Sequence, residues 1–102
     1  ILMQDFLKTV QQHYKIERKV IFYADKLHLS AGYLSTVIKN VSGKTAAEWI
    51  DDYVILEAKS LLKSSSLTIQ QISDGLNFPS QSFFGKYFKR QIGISPKEYR
   101  EK

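Results

Sequence analysis

The chain has 102 residues, a net charge of +5 and no cysteine. Its 43% hydrophobic and 25% charged residues are typical of one compact globular domain, or of two very small ones that share a core. The composition excludes disulfides and thiolate metal sites, and because no run of about 18 apolar residues occurs it also excludes a transmembrane helix.

Hydrophobic spacing and capping signals predict an all-α chain with no strand. The seven predicted helices cover approximately residues 3–14, 18–27, 31–40, 46–63, 69–75, 80–90 and 96–101. Three starts carry a capping box, in which a Ser or Thr and a Glu or Gln three residues later satisfy each other's backbone amides. These boxes are Thr45–Glu48, Thr68–Gln71 and Ser95–Glu98.

The helix predicted at 46–63 is long, and its apolar residues cover more than one stripe. Such a helix can support a subdomain at each end. The apolar set comprises Trp49, Ile50, Tyr53, Val54, Leu56, Leu61 and Leu62. We therefore expect a first subdomain at 1–44, a linker helix at 45–66 and a second subdomain at 67–102.

The chain contains an internal repeat. The stretch from Ala24 to Trp49 corresponds to the stretch from Ser73 to Tyr99, at an offset that changes from 49 to 50 at the extra residue Pro79. The identical pairs are Asp25/Asp74, Leu27/Leu76, Ser30/Ser80, Lys39/Lys89, Gly43/Gly93 and Glu48/Glu98. Two copies of one helical unit suggest a repeating partner, for which duplex DNA is the obvious candidate.

Each copy reads as a helix-turn-helix, a motif whose second helix lies in the DNA major groove. The turns require a residue that tolerates positive φ, and His28 and Asn77 stand at those positions. Ser30 and Ser80 are predicted to cap the second helices, and Gly43 and Gly93 to end them. The two second helices are expected about 34 Å apart, one turn of DNA.

The second helices have predicted inner and outer faces. Leu34, Val37 and Ile38 in the first, and Phe84, Tyr87 and Phe88 in the second, are expected in the core. The outward residues are small, polar or basic, so that base pairs can be approached closely. The predicted base contacts are Gly32, Ser35, Thr36, Gln81, Ser82, Gly85 and Lys86, and the predicted phosphate contacts are Ser30, Lys39, Ser80, Lys89 and Arg90.

Charge follows the repeat. Residues 30–44 carry two bases and 75–97 carry four, with no acid in either segment, whereas residues 45–63 carry four acids against two bases. A surface that faces phosphates shows this pattern. The alternative is a solvated face on a mildly basic protein. Tyr33 and Phe83 precede the core residues of the two helices, and we expect them to pack at the rim of the core.

The second copy resembles the signature of AraC/XylS-type transcription regulators. The residues that carry this resemblance are Ile72-Ser73, Leu76-Asn77-Phe78, Ser80 to Phe84, Phe88-Lys89, Gly93 to Pro96 and Tyr99-Arg100. The resemblance covers roughly residues 18–100. It implies two helix-turn-helix subdomains joined by a long helix, with both recognition helices in successive major-groove segments of one DNA face. The base contacts that it implies fall on the positions named above.

The sequence departs from that family pattern at several positions. Ser73 replaces the usual Ala, Asn77 replaces the turn glycine, and Val54 replaces a common arginine of the linker helix. Gly32 offers no side chain for base recognition. The family usually carries a sensing or dimerisation domain before this one. Because Ile1 is not an initiator methionine, we expect a fragment of a longer protein, and we expect that protein in the cytoplasm.

Other functions are less well supported by the sequence. A helical module that binds another protein, such as an RNA polymerase subunit, is the main alternative to DNA binding. No arrangement of acid, base, nucleophile or metal ligands suggests an enzyme, and no cofactor is expected. Gly43-Lys44-Thr45 resembles the end of a phosphate-binding loop, but Ile38 occupies the position of the required first glycine.

Overall fold

A computed structural model describes all 102 residues and contains seven α-helices and no strand, which confirms the predicted all-α fold. The helices are α1 (Leu2–His13), α2 (Val20–Lys26), α3 (Ala31–Ser42), α4 (Ala46–Ser64), α5 (Ile69–Gly75), α6 (Gln81–Ile92) and α7 (Pro96–Glu101). None of them is both long and apolar enough to cross a membrane.

Glycines end α3 and α6, as predicted. Gly43 has φ 83° and Gly93 has φ 98°, and their amides donate to the carbonyls of Lys39 (2.9 Å) and Lys89 (2.7 Å). Side chains with a Cβ rarely adopt this left-handed conformation. Helices α3 and α6 therefore continue up to these glycines, two residues beyond the ends expected from the sequence.

All three predicted capping boxes are confirmed. In the box that starts α4, the Thr45 amide donates to Glu48 Oε1 (2.9 Å) and the Glu48 amide donates to Thr45 Oγ1 (3.1 Å). The same reciprocal bonds start α5 and α7. The backbone N–H of Thr45 holds the pKa of Glu48 below its usual range, and the backbone N–H of Ser95 does the same for the pKa of Glu98.

The chain divides into two compact units, residues 1–53 and 54–102, with the boundary inside α4. In the first unit α2 packs against α1 and α3. Its core consists of Phe6, Val10, Tyr23, Ala24, Leu34, Ile38, Ala46 and Ile50. The Tyr23 hydroxyl donates to the Glu17 carbonyl (2.6 Å) and anchors the loop between α1 and α2. Burial, assisted by the charge of Glu17, raises the pKa of Tyr23 to about 12.

In the second unit α6 packs against α5 and α7. Arg100 of α7 reaches the C-terminal end of α4. Its Nε donates to the Leu62 carbonyl (2.9 Å), and one terminal nitrogen lies 3.3 Å from the Leu61 carbonyl and 3.5 Å from the Ser65 carbonyl. Carbonyls in the last turn of a helix lack the regular intrahelical partner. The Leu61 carbonyl also accepts the amide (3.2 Å) and the hydroxyl (2.6 Å) of Ser65, so the guanidinium acts as a side-chain cap for α4 mainly at the Leu62 carbonyl.

The apolar residues of α4 do not all pack inward. Ile50, Val54 and Leu62 are buried. Leu56, which the sequence places in the apolar set of this helix, is 68% exposed and lies outside the core. Sequence spacing places Leu56 beside a second apolar stripe. The side chain nevertheless faces solvent.

Candidate nucleic-acid interface

The two helix-turn-helix turns have the same geometry. His28 and Asn77 adopt left-handed φ values of 60° and 59°, as predicted. The Leu29 amide donates to the Ala24 carbonyl (2.9 Å), and at the equivalent place the Phe78 amide donates to the carbonyl of residue 73 (3.0 Å). Each unit therefore presents its second helix through the same turn, and the predicted pair of helix-turn-helix motifs is confirmed.

A serine hydroxyl starts each of the helices α3 and α6. Ser30 Oγ accepts the Tyr33 amide (3.1 Å), and Ser80 Oγ accepts the Phe83 amide (3.0 Å). Both serines are exposed. A hydroxyl has two lone pairs and one hydrogen, so each serine can cap its helix and still donate to an external oxygen.

Ser73 explains one departure from the family pattern. This serine is fully buried, and its hydroxyl donates to the Ser80 carbonyl (3.1 Å). The bond satisfies a polar group that would otherwise be costly to bury, and it ties α5 to the residue that caps α6. The first unit has the buried residue Ala24 at this position and makes no such bond.

Helix α6 has the faces that the sequence predicts. Phe84, Tyr87 and Phe88 are buried, as expected. The opposite side exposes Gln81, Ser82, Lys86, Lys89 and Arg90, with Gly85 half-exposed. No atom outside the helix backbone lies within 4 Å of the position where a Cβ of Gly85 would stand, so the surface is open there.

The face of α3 agrees with the prediction less closely. Gly32 and Thr36 are exposed as expected, but Ser35 is half-buried. Val37 was expected in the core and is also only half-buried. Both residues lie on the flanks of the helix, between the buried stripe of Leu34 and Ile38 and the outer face.

Lys39 and Lys89 are identical in sequence but not in their contacts. Lys39 Nζ donates to the Gly43 carbonyl (3.0 Å), at the end of its own helix. Lys89 makes no hydrogen bond or ion pair and is exposed. Sequence comparison cannot distinguish the two lysines, because the difference lies in the side-chain conformation.

The positive charge is concentrated on the second unit. Lys44 pairs with Asp52 and lies 4.4 Å from the centre of the Trp49 ring, so its charge is partly neutralised. The bases of α6 form no ion pair, although the charge of Lys89 helps to hold the pKa of Glu98 below its usual range, after the larger effect of the Ser95 hydrogen bonds. Arg90 lies over the Tyr87 ring at 6.0 Å and stays exposed.

The exposure of two aromatic residues is greater than the sequence predicts. Tyr33 is 56% exposed and Phe83 is 52% exposed, at equivalent positions in α3 and α6. The sequence comparison placed them at the rim of the core, and about half of each residue is indeed covered. The repeated signal that could have identified them is a pair of aromatic residues directly before the core residues Leu34 and Phe84.

No group of three or more histidine or acidic side chains is arranged to hold a metal ion. Each unit instead presents one exposed helix face, which is started by a serine and is free of acidic side chains.

Known proteins are similar to this chain in sequence and in fold. The family described as a helix-turn-helix domain matches residues 23–102. The HTH-type transcriptional regulator YisR of Bacillus subtilis is 33% identical over 94 residues, which are 92% of this chain and 33% of that protein. The chain thus spans about a third of that relative's length.

Solved structures agree with the sequence match. The C-terminal domain of AraT, a response regulator from Geobacillus stearothermophilus, has a TM-score of 0.89 and 27% identity, covering 98% of this chain and 84% of that chain. The DNA-binding domain of AdpA, solved with a target DNA, shares the fold with a TM-score of 0.83 and 21% identity over 97% of this chain and 89% of that chain. The chain therefore belongs to the helix-turn-helix domain family, as one of the AraC/XylS-type DNA-binding domains of transcription regulators.

Proposed function

We propose that this chain binds double-stranded DNA in a sequence-specific manner, as the output domain of a transcription regulator. Helices α3 and α6 act as the recognition helices and enter successive major-groove segments. The observation that carries the proposal is the repeated exposed helix face, which has the same turn and the same serine cap in both units. Binding rather than catalysis is the proposed activity.

In this proposal α6 supplies most of the base recognition. Gln81 is long enough to pair with adenine through two hydrogen bonds, and Lys86 to reach the acceptor atoms of guanine. Ser82 and Gly85 let the backbone approach the bases. In α3, Ser35 and Thr36 are the polar side chains beside Gly32, and half-burial restricts the reach of Ser35.

Phosphate contacts position the two helices. We assign them to the hydroxyls of Ser30 and Ser80 and to the cations Lys39, Lys89 and Arg90. Lys89 has no hydrogen bond to break before it reaches a phosphate, whereas Lys39 must first leave the Gly43 carbonyl. Lys39 is therefore the weaker phosphate ligand of the two.

Salt dependence provides a quantitative test. A cation that neutralises one phosphate contributes about 0.9 to the slope of log affinity against log salt concentration. We expect Lys89→Ala to reduce the slope by about 0.9, and Lys39→Ala to reduce it by less. Lys8→Ala is the matched control, because Lys8 is an exposed lysine of α1 outside both recognition helices.

Base recognition requires a different readout. A target is first selected from random duplexes with the wild-type chain. Lys86→Ala and Gln81→Ala are then expected to lose discrimination at one defined base pair each, by about 1–3 kcal/mol, with little change in the salt slope. The proposal would be refuted if the wild-type chain showed no salt-dependent affinity for any duplex.

A further proposal concerns the partners of this chain within a whole regulator. We propose that the chain works together with a sensing or dimerisation domain, in the cytoplasm, and that it contacts RNA polymerase subunits once bound to DNA. The exposed Leu56 of α4 is a surface feature that DNA recognition does not use. Leu56→Ser is expected to leave DNA affinity unchanged and to change the level of transcription in a reconstituted assay with RNA polymerase.

A further inference from the structure

We propose that Tyr33 and Phe83 read thymine methyl groups, one in each half of the DNA target. The inference rests on the proposed function, because it assigns a further specificity to the same two helices. It adds an apolar contact to a set of predicted base contacts that contains only glycine and polar side chains.

The first argument is the exposure of the two rings. Tyr33 is 56% exposed and Phe83 is 52% exposed, although the next residue in each helix, Leu34 and Phe84, is completely buried. A single exposed apolar side chain needs no explanation. Here the same exposure occurs at equivalent positions of both copies. In each copy a capping serine precedes the ring and a buried core residue follows it.

The second argument is that Phe83 is held in place. Its amide is bonded to Ser80 Oγ (3.0 Å), and its ring centre lies 6.2 Å from that of Phe78, which is only 6% exposed. One side of the ring therefore rests on the core while the rest faces solvent. A ring fixed in this way loses little side-chain entropy when it makes a contact.

The third argument is the position of the rings relative to the polar residues. Side chains three positions apart are neighbours on a helix surface. Phe83 is therefore beside Lys86, and Tyr33 is beside Thr36. If Lys86 and Thr36 reach base edges, the two rings lie at the border of the same contact.

The chemistry of the major groove then identifies the target. The C5 methyl of thymine is the apolar group that base pairs present there, and phenylalanine is among the side chains that contact it. The ring of Tyr33 offers the same apolar edge. Its hydroxyl makes no hydrogen bond within the chain and stays available to water or to a phosphate.

Replacing thymine by deoxyuridine removes only that methyl group. Each thymine of the selected duplex is replaced in turn, and affinity is measured for the wild-type chain. We expect a loss of about fourfold, the value for one buried methyl group, at one thymine in each half of the target. Phe83→Ala should bind the thymine and uracil duplexes equally at the α6 position, and Tyr33→Ala should do so at the α3 position.

Conservative variants and controls separate this contact from a folding defect. Phe83→Leu and Tyr33→Phe should keep the preference for thymine. Leu56→Ala removes an exposed apolar side chain from α4 and should leave the ratio of affinities at every position unchanged. Helical content measured by circular dichroism shows whether each variant is folded.

Two results would overturn the inference while the proposed function stands. One is a wild-type chain that binds its duplex tightly and tolerates uracil at every position. The other is a thymine preference that survives in both alanine variants. Tighter binding to the single strand than to the duplex would also overturn it, since the rings would then act as stacking platforms. If the wild-type chain bound no DNA at all, the proposed function itself would fail.

Discussion

Replacing Arg100 by alanine removes the side chain that caps the C-terminal end of α4. The bond from Nε to the Leu62 carbonyl has normal length at 2.9 Å, whereas the contacts with the Leu61 and Ser65 carbonyls, at 3.3 and 3.5 Å, are long. A hydrogen bond from a charged group contributes about 1.5–3 kcal/mol, and a cation at a helix C-terminus about 0.3–1 kcal/mol.

Arg100 is half-exposed, so water can replace part of what the guanidinium supplies, and the lower end of each range applies. We therefore expect Arg100→Ala to lower the free energy of unfolding by about 2 kcal/mol. In a urea titration this corresponds to a shift of the midpoint by roughly 1–2 M. Arg100→Lys keeps the charge but loses the planar donor geometry, and should recover less than half of the loss.

Lys97→Ala is the matched control, because it removes a positive charge from the same helix without removing a hydrogen bond. Its effect should stay within about 0.5 kcal/mol. If Arg100→Ala cost no more than the control, the carbonyls of α4 would be satisfied equally well by water. The assignment of Arg100 as a helix cap would then be refuted.

Three further outcomes follow from the backbone and the titrating groups. Gly93→Ala forces a Cβ into the left-handed region and should lower the free energy of unfolding by about 1–2 kcal/mol. Gly75→Ala, in the open last turn of α5, should raise it by about 0.5–1 kcal/mol. Thermal unfolding measures both changes. The raised pKa of Tyr23 means that the unfolded chain loses its phenolic proton first, so stability should decline from about pH 10 to 12, and Tyr23→Phe should remove this decline. Because the pKa of Glu98 is lowered in the folded chain, its stabilising effect is present above the usual glutamate pKa and is lost as pH falls through the lowered pKa. Glu98→Gln can still form the capping box and should make the loss of stability at acid pH less steep.

Local chemistry made most of the fold predictable from the sequence. A cap is formed by residues three apart, so Thr68 and Gln71 could be recognised without knowledge of the tertiary structure. The positive φ values of His28 and Asn77 could be predicted for a similar reason, since the repeat aligns the two turns. These features depend only on residues close together in the chain, so the sequence is sufficient to predict them.

The remaining features depend on contacts between distant residues. Helical spacing places Val37 and Leu56 among apolar neighbours, but it does not show whether another helix covers them. Arg100 could be recognised as part of a family signature, although its bond to a carbonyl 38 positions earlier could not. Side-chain conformation is equally hidden, which is why Lys39 and Lys89 differ despite their shared place in the repeat.

Position 100 is used differently in the two copies. Its equivalent in the first copy is Ile50, which is fully buried in the core of the first unit. In the second copy the same position holds a cation that bonds to a backbone carbonyl at the end of α4. One position of the repeat thus serves apolar packing in one copy and helix capping in the other, so the two copies are not interchangeable there.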